Sequence, residues 1–158
     1  MDEITTRVIA ALQQAGIAAT TQFPVGFMPR LAEAAAAVEL QSIRAASGSF
    51  LDYLGITEDP EKGPLERYGR KMEGTVLVRI CAPDAASVRT AAETAVSVLG
   101  FGLKNVTVEE TAAEETVFDQ AADCFRKDVL VRFSAYFCAL RTEDDTEFLD
   151  LKLEGEIR

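Results

Sequence analysis

The sequence predicts an α+β domain, with a single mixed β-sheet of about five strands and two helices packed on one face. Three observations carry this. Two stretches place apolar residues at steps of three and four, and several others place them at steps of two, the helical and strand periods. The order is helix, strand, long irregular segment, strand, helix, strand, then two strands joined by a short polar turn. The chain has 158 residues, 48% of them apolar, which suits one core without disulfides or metals.

The elements follow in order. Ile4, Val8, Ala11, Leu12 and Ala15 share one helical face; Asp2 and Glu3 suit the positive N-terminal end, and Gly16 is the stop. "TQFPVGFMPRL" is broken by Pro24, Gly26 and Pro29 and reads as a loop whose Phe23, Phe27 and Met28 fold back on the core. Within 34–44, alanines favour helix, but Val38 and Leu40 alternate with Glu39 and Gln41, so the stretch reads as a strand. Residues 72–82, "MEGTVLVRICA", are a clearer strand ended by Pro83. Asp84 is placed to cap a second helix with a stripe of Val88, Ala91, Ala92, Ala95, Val96 and Leu99, closed by Gly100. "LKNVTVEE" reads as a short strand and "EETVFDQAADCFR" as irregular or a brief helical turn. "DVLVRFSAYFCALR" is the strongest strand, and "EFLDLKLEGEIR" alternates at Leu149, Leu151 and Leu153. "TEDDTE" between them has hairpin-loop character.

Two helices cover one sheet face. Val76, Val78, Ile80, Val129, Val131, Phe133, Phe137, Leu149, Leu151 and Leu153 are expected under them. The other face then carries Leu77, Arg79, Cys81, Leu130, Arg132, Tyr136, Cys138 and Phe148. A solvated face reads as polar, and this one is half apolar, so a loop or another subunit is expected over it. Residues 47–70, "SGSFLDYLGITEDPEKGPLERYGR", are the expected loop. They hold four Gly and two Pro yet also Phe50, Tyr53, Leu54, Leu65 and Tyr68. Irregular segments beyond about 12–15 residues in compact domains are usually functional or disordered. Cover of its own sheet and contact with a neighbour both remain open for this segment.

Charge and composition exclude several classes. The net charge of −10 argues against phosphate-neutralising nucleic-acid binding and against docking on an anionic membrane. The three cysteines are an odd number without a CxxC, so a disulfide framework is not expected, and a reducing cytoplasm suits them. "MDEITTRV" lacks the order of a signal peptide, and no apolar run is long enough for a membrane span. There is no His, no Walker loop and no GxGxxG, which removes the commonest general base and metal ligand and the familiar phosphate cradles. "GFG" at 100–102 follows a helix and is a stop. "TEDDTE" and "EDPEKG" lack calcium-loop spacing and read as solvated turns. No catalytic residue, cofactor or metal site is predicted. The remaining alternatives are a small ligand-binding or carboxylate-based hydrolytic domain and a monomeric or dimeric cytoplasmic adaptor.

Several stretches together, "ITTRVIAALQQAGI", "FPVGFMPRL", "FLDYLG", "ERYGR" before a strand and "ICAPDA" leading into the second helix, resemble the tail-terminator, or tail-completion, proteins of long-tailed bacteriophages and prophages. The resemblance spans most of the chain. It implies a short α+β domain that forms a ring, typically a hexamer, on the tail tube, stops its growth and meets head-completion proteins. The chain would then be cytoplasmic during assembly and part of the virion tail afterwards. Phe50, Tyr53, Leu54 and Tyr68 would anchor contacts with a neighbouring subunit or the tube, and Arg67 and Arg70 would meet its carboxylates. Arg79, Arg132 and Tyr136 on the helix-free face are further interface candidates. Aromatic residues and Arg are the types that dominate interface energetics.

Overall fold

The computed structural model describes residues 2–23, 31–46, 52–142 and 150–154; for 2, 46, 139–142 and 150–154 it describes the backbone alone. Two helices and one mixed sheet make up these residues, in the order α1 (Asp2–Gln14), β1 (Ala18–Thr20), β2 (Ala35–Ala46), β3 (Tyr53–Asp59), β4 (Gly63–Ala82), α2 (Ala85–Gly100), β5 (Thr107–Ala113), β6 (Val117–Asp119), β7 (Cys124–Thr142) and β8 (Asp150–Glu154).

The α+β class and the single sheet are as predicted, but the strand segments number eight rather than about five. Pairing explains the difference. β7 occupies one edge of β4 from Leu65 to Ala82, so β2 and β3 must share the other edge, β2 against Lys71–Cys81 and β3 against Gly63–Tyr68. On the far side of β7, β6, β5 and β8 follow one another along its free edge. The sheet is therefore five positions wide, in the order β1, β2/β3, β4, β7 and β6/β5/β8. Among the described residues only β1–β2 is parallel. Sequence periodicity finds β2, β4, β5, β7 and β8, of which β5 and β8 share one position, and misses the short β1 at the sheet edge. It does not see where a lateral position is broken into separate segments.

The core lies between the near half of the sheet and the two helices. Ile4, Val8 and Leu12 of α1 and Val88, Ala92, Ala95 and Leu99 of α2 close over Val38, Val76, Val78, Ile80, Val129, Val131 and Phe133. α1 ends in a Schellman turn: Ile17 N donates to Leu12 O at 3.0 Å and Gly16 N to Gln13 O at 3.0 Å, with Gly16 at φ +84°. The Asp84 carboxylate caps α2 by accepting from Ser87 N at 2.8 Å. The Ser87 hydroxyl, which donates to Asp84 Oδ2 at 2.6 Å, and then the Ser87 N–H favour its charged form and hold its carboxyl below the usual range. α2 closes at Phe101 and Gly102, one turn residue later than the predicted Gly100.

β4 and β7, of 20 and 19 residues, are far longer than the helices above them. At about 3.3 Å per residue each spans roughly 60 Å, whereas the 16 residues of α2 rise only about 24 Å. The strands therefore run out past the helix layer as an arm: residues 63–71 of β4 and 136–142 of β7, flanked by β3 and β8.

This arm corrects the reading of 47–70 as an irregular loop. From Tyr53 onward the segment is a β-hairpin, and 47–51 lie outside the described residues. Asp59 Oδ1 accepts from Glu61 N at 2.9 Å and Lys62 N at 3.0 Å, and Asp59 pairs with Gly63 across the turn. "EDPEKG" is thus a hairpin turn. Segment 114–126 is corrected in the same way: Asp119 Oδ1 accepts from Ala121 N and Ala122 N, and β6 pairs with the start of β7. β5 lies later than expected, at Thr107–Ala113. Residues 24–30 and most of "TEDDTE" are outside the described residues, as are Phe148 and Leu149.

Candidate functional site

Alternation fixes what each face of the arm carries. On the helix side, beyond the helices, lie Glu66, Tyr68 and Arg70 of β4. Opposite them are Ile56 and Tyr53 of β3 and Phe137 of β7, through the pairs Ile56–Glu66, Tyr53–Tyr68 and Arg70–Phe137. Tyr53 and Tyr68 meet edge to face with ring centroids 5.5 Å apart. The Tyr68 hydroxyl donates to Glu66 Oε2 at 2.8 Å, and Arg70 Nε donates to Asp52 Oδ2 at 2.8 Å. These bonds hold the polar tips in place while apolar area stays open: Tyr53, Ile56 and Phe137 are 40%, 59% and 43% exposed.

Phe137 was expected under the helices. Its alternation places it on the correct face, but it is four residues beyond the buried Phe133, where the helix layer has ended. Leu151 and Leu153 pair in register with β7, their side chains being outside the description.

The arm's other face has a small core of its own. Leu65 and Cys138 are buried there. Gly69 leaves room for Leu54, whose Cδ1 lies 2.6 Å from where a Cβ on Gly69 would be. Leu54, read as an interface anchor, is the extra residue of a bulge in β3 and packs on its own sheet. Arg67 lies on this face near Cys138. Phe50 is outside the described residues.

The helix-free face of the near half is not covered by the hairpin, which extends the sheet in its own plane. Its charges pair instead. Arg132 Nη1 donates to Glu110 Oε2 at 3.2 Å. Arg79 Nε and Arg126 Nε each stand 3.6 Å from Asp128 Oδ1, and Arg126 is 3.8 Å from Asp119. The 3.6 Å contacts are too long for hydrogen bonds, so Arg79 Nε and Asp128 Oδ1 are buried without a hydrogen-bond partner among the described residues. In register, Leu77 is surrounded by Leu130, Arg79, Arg132 and Glu39, whose long side chains flank it; Leu77 is only 6% exposed. Tyr136 lies on the same face, near Lys71, and is half-buried.

Cys81 and Cys124 are buried neighbours on this face. Burial, then the Cys124 thiol, pushes the Cys81 thiol up to about 12, and burial also raises Cys138. Cys81 pairs with Arg126, two residues from Cys124. Such diagonal positions are about 7–8 Å apart, beyond the roughly 4.4–6.8 Å Cα span of a disulfide, and all three thiols are free.

The described clefts are open and sparsely functionalised. One of about 410 Å³ between the end of α1 and the start of α2 carries Glu33, Ser87, Thr90 and Thr94. One of about 270 Å³ is lined by Leu31, Pro83, Phe118, Asp123 and Cys124. Neither brings two carboxylates together. Among the described residues, no group of three His, Cys, Asp or Glu is placed to hold a metal ion, and no helix is long and apolar enough to cross a membrane.

The helix side of the arm thus unites Tyr53, Tyr68 and Arg70, while Arg79, Arg132 and Tyr136 lie on the opposite face of the sheet. Sequence reasoning missed Ile56, Phe137 and Phe101 as exposed apolar residues. For Ile56 a signal was available: Tyr53, Ile56 and Glu58 stand before an Asp-Pro turn. No protein-family model and no curated protein matches the chain.

Proposed function

We propose that the chain is a non-catalytic structural subunit that assembles with copies of itself into a ring, hexameric by the resemblance described above. The ring caps the tail tube of a long-tailed phage or prophage and joins it to head-completion proteins. One observation carries the reading: an arm of four paired segments projects past the helix layer and leaves Tyr53, Ile56 and Phe137 40%, 59% and 43% exposed beside Tyr68 and Arg70. Apolar side chains left part-exposed on a sheet extension are costly to leave in water, and a neighbouring subunit offsets the cost. Aromatic residues with an adjoining Arg are the composition of an interface centre. Two further observations support the absence of catalysis: the chain lacks His, and the described clefts lack a carboxylate pair.

The test is electron microscopy of the purified protein, alone and with a tail tube protein from the same phage or prophage genome. Rings, and tubes of limited length with a cap at one end, are expected. Tubes that grow on unchanged, with no added density at either end, would refute the reading.

A further inference from the structure

We infer that Phe101 of one copy seats on the helix side of the arm of the next copy, against Tyr53, Ile56 and Phe137. This contact deepens the assembly reading above and rests on it.

Phe101 is 92% exposed, the most exposed large apolar side chain among the described residues. A Phe at a loose loop tip would mean little. This one is presented rigidly. It is the C-cap of α2, in helical conformation, and Gly102 at φ +91° turns the chain away behind it. Gly102 N donates to Leu99 O at 3.0 Å, Val106 N to Leu103 O at 3.0 Å, and Leu103 and Val106 form a β-bridge. Arg7 of α1 also donates to Lys104 O, tying the turn to the other helix. A side chain held out by so many fixed groups loses little freedom on docking.

The arm supplies the complementary surface. It is apolar and open where Phe101 is apolar and projecting, and the exposure of Phe101 shows that it does not rest on its own arm. Charge matches as well. α2 has no basic residue in its last turn, and Arg70, whose Nε is bonded to Asp52 but whose side chain is 62% exposed, adjoins Phe137 on the arm. Lys104, exposed beside Phe101, finds Glu58 two residues from Ile56 on the same face. The knob and its seat are different patches of one chain, so copies can join head to tail, which the assembly reading requires, or reciprocally as a two-fold dimer. Repeated head to tail with a rotation that closes, it builds the ring of the assembly reading. Direct edge-to-edge pairing of sheets is disfavoured in comparison, because the outer segments β2, β3 and β5 each carry a bulge.

The experiment uses the full chain in four forms: unaltered, Phe101→Asp, Ile56→Asp, and the two variants mixed in equal amounts. Sedimentation velocity and native mass spectrometry give the assembly state. Both positions are exposed, so thermal unfolding should not change; if an aspartate lowers it, Phe101→Ser and Ile56→Ser take its place. The unaltered chain should form a species larger than a dimer. Each variant alone should weaken assembly at least about tenfold, as loss of a central anchor does. The mixture should give a one-to-one dimer and nothing larger, since one intact knob then meets one intact arm. Rings that persist in Phe101→Asp overturn this contact and leave the assembly reading standing. A Phe101-dependent dimer of the unaltered chain, without rings, keeps the contact and overturns the ring. A monomer at high micromolar concentration overturns both.

Discussion

Replacing Gly74 with Ala adds a single methyl group at a crowded point of the sheet. Gly74 lies in the middle of β4, opposite Phe133 on β7 and Ile43 on β2. A Cβ there would stand 2.5 Å from Ser42 O and 2.7 and 2.9 Å from Phe133 Cζ and Cε1. Neither neighbour yields easily. Ser42 O belongs to the backbone of a paired strand, and the Phe133 ring is 1% exposed within the core. Overpacking of this kind costs about 1–3 kcal/mol. The lower chain entropy of Ala returns at most about 1 kcal/mol, so a net loss is expected. Phe133→Ala alone should cost about 3–5 kcal/mol as a large-to-small core change. In the double variant two of the three close contacts are gone, so the losses should fall short of additive by about 0.5 kcal/mol or more. Urea unfolding of dilute protein measures all three. A Gly74→Ala chain within about 0.5 kcal/mol of the original, or strict additivity with Phe133→Ala, would refute this account of the packing.

Two further outcomes follow from the chemistry of single groups. The thiols of Cys81, Cys124 and Cys138 are buried, and burial raises Cys81 and Cys138. A chromogenic disulfide reagent at mild alkaline pH should therefore find no fast-reacting thiol in the native chain and all three after denaturation; a native burst would contradict their burial. Asp84 has a lowered pKa, so its cap stabilises α2 when ionised and loses that effect as pH falls. Asp84→Ala should lower the melting temperature at neutral pH, and the gap should close as pH drops through about 4 and below. A gap that is unchanged at acid pH would mean that the ionised cap is not its cause.

Much of the near half was legible from period alone. Val76, Val78 and Ile80 alternate on β4, and Val129, Val131 and Phe133 on β7; all six are buried under the helices. Asp84 and Gly16 marked helix ends because caps depend on local hydrogen bonds. The arm was less legible, for physical reasons. Pro60, Gly63 and Pro64 punctuate the 53–70 hairpin, and such residues usually signal loops. Here Pro60 lies in the turn and Pro64 just inside β4 at its start. Gly69 lowered the strand signal, yet it serves close approach of Leu54, as Gly74, inside the predicted strand 72–82, does for Phe133. Phe137 shows the complementary limit. Alternation names a face, but it does not say how far along the strand the helices reach.

Hydroxyl-radical footprinting tests the central claim most directly, because it reads side-chain exposure residue by residue. The protein would be labelled in dilute solution and again in the assembled state. Tyr53, Ile56 and Phe137 should be modified in the dilute chain and strongly protected on assembly, while the buried Phe133 stays protected in both. Assembly that leaves Tyr53, Ile56 and Phe137 as reactive as before would contradict the assignment of the arm as the surface through which this protein works.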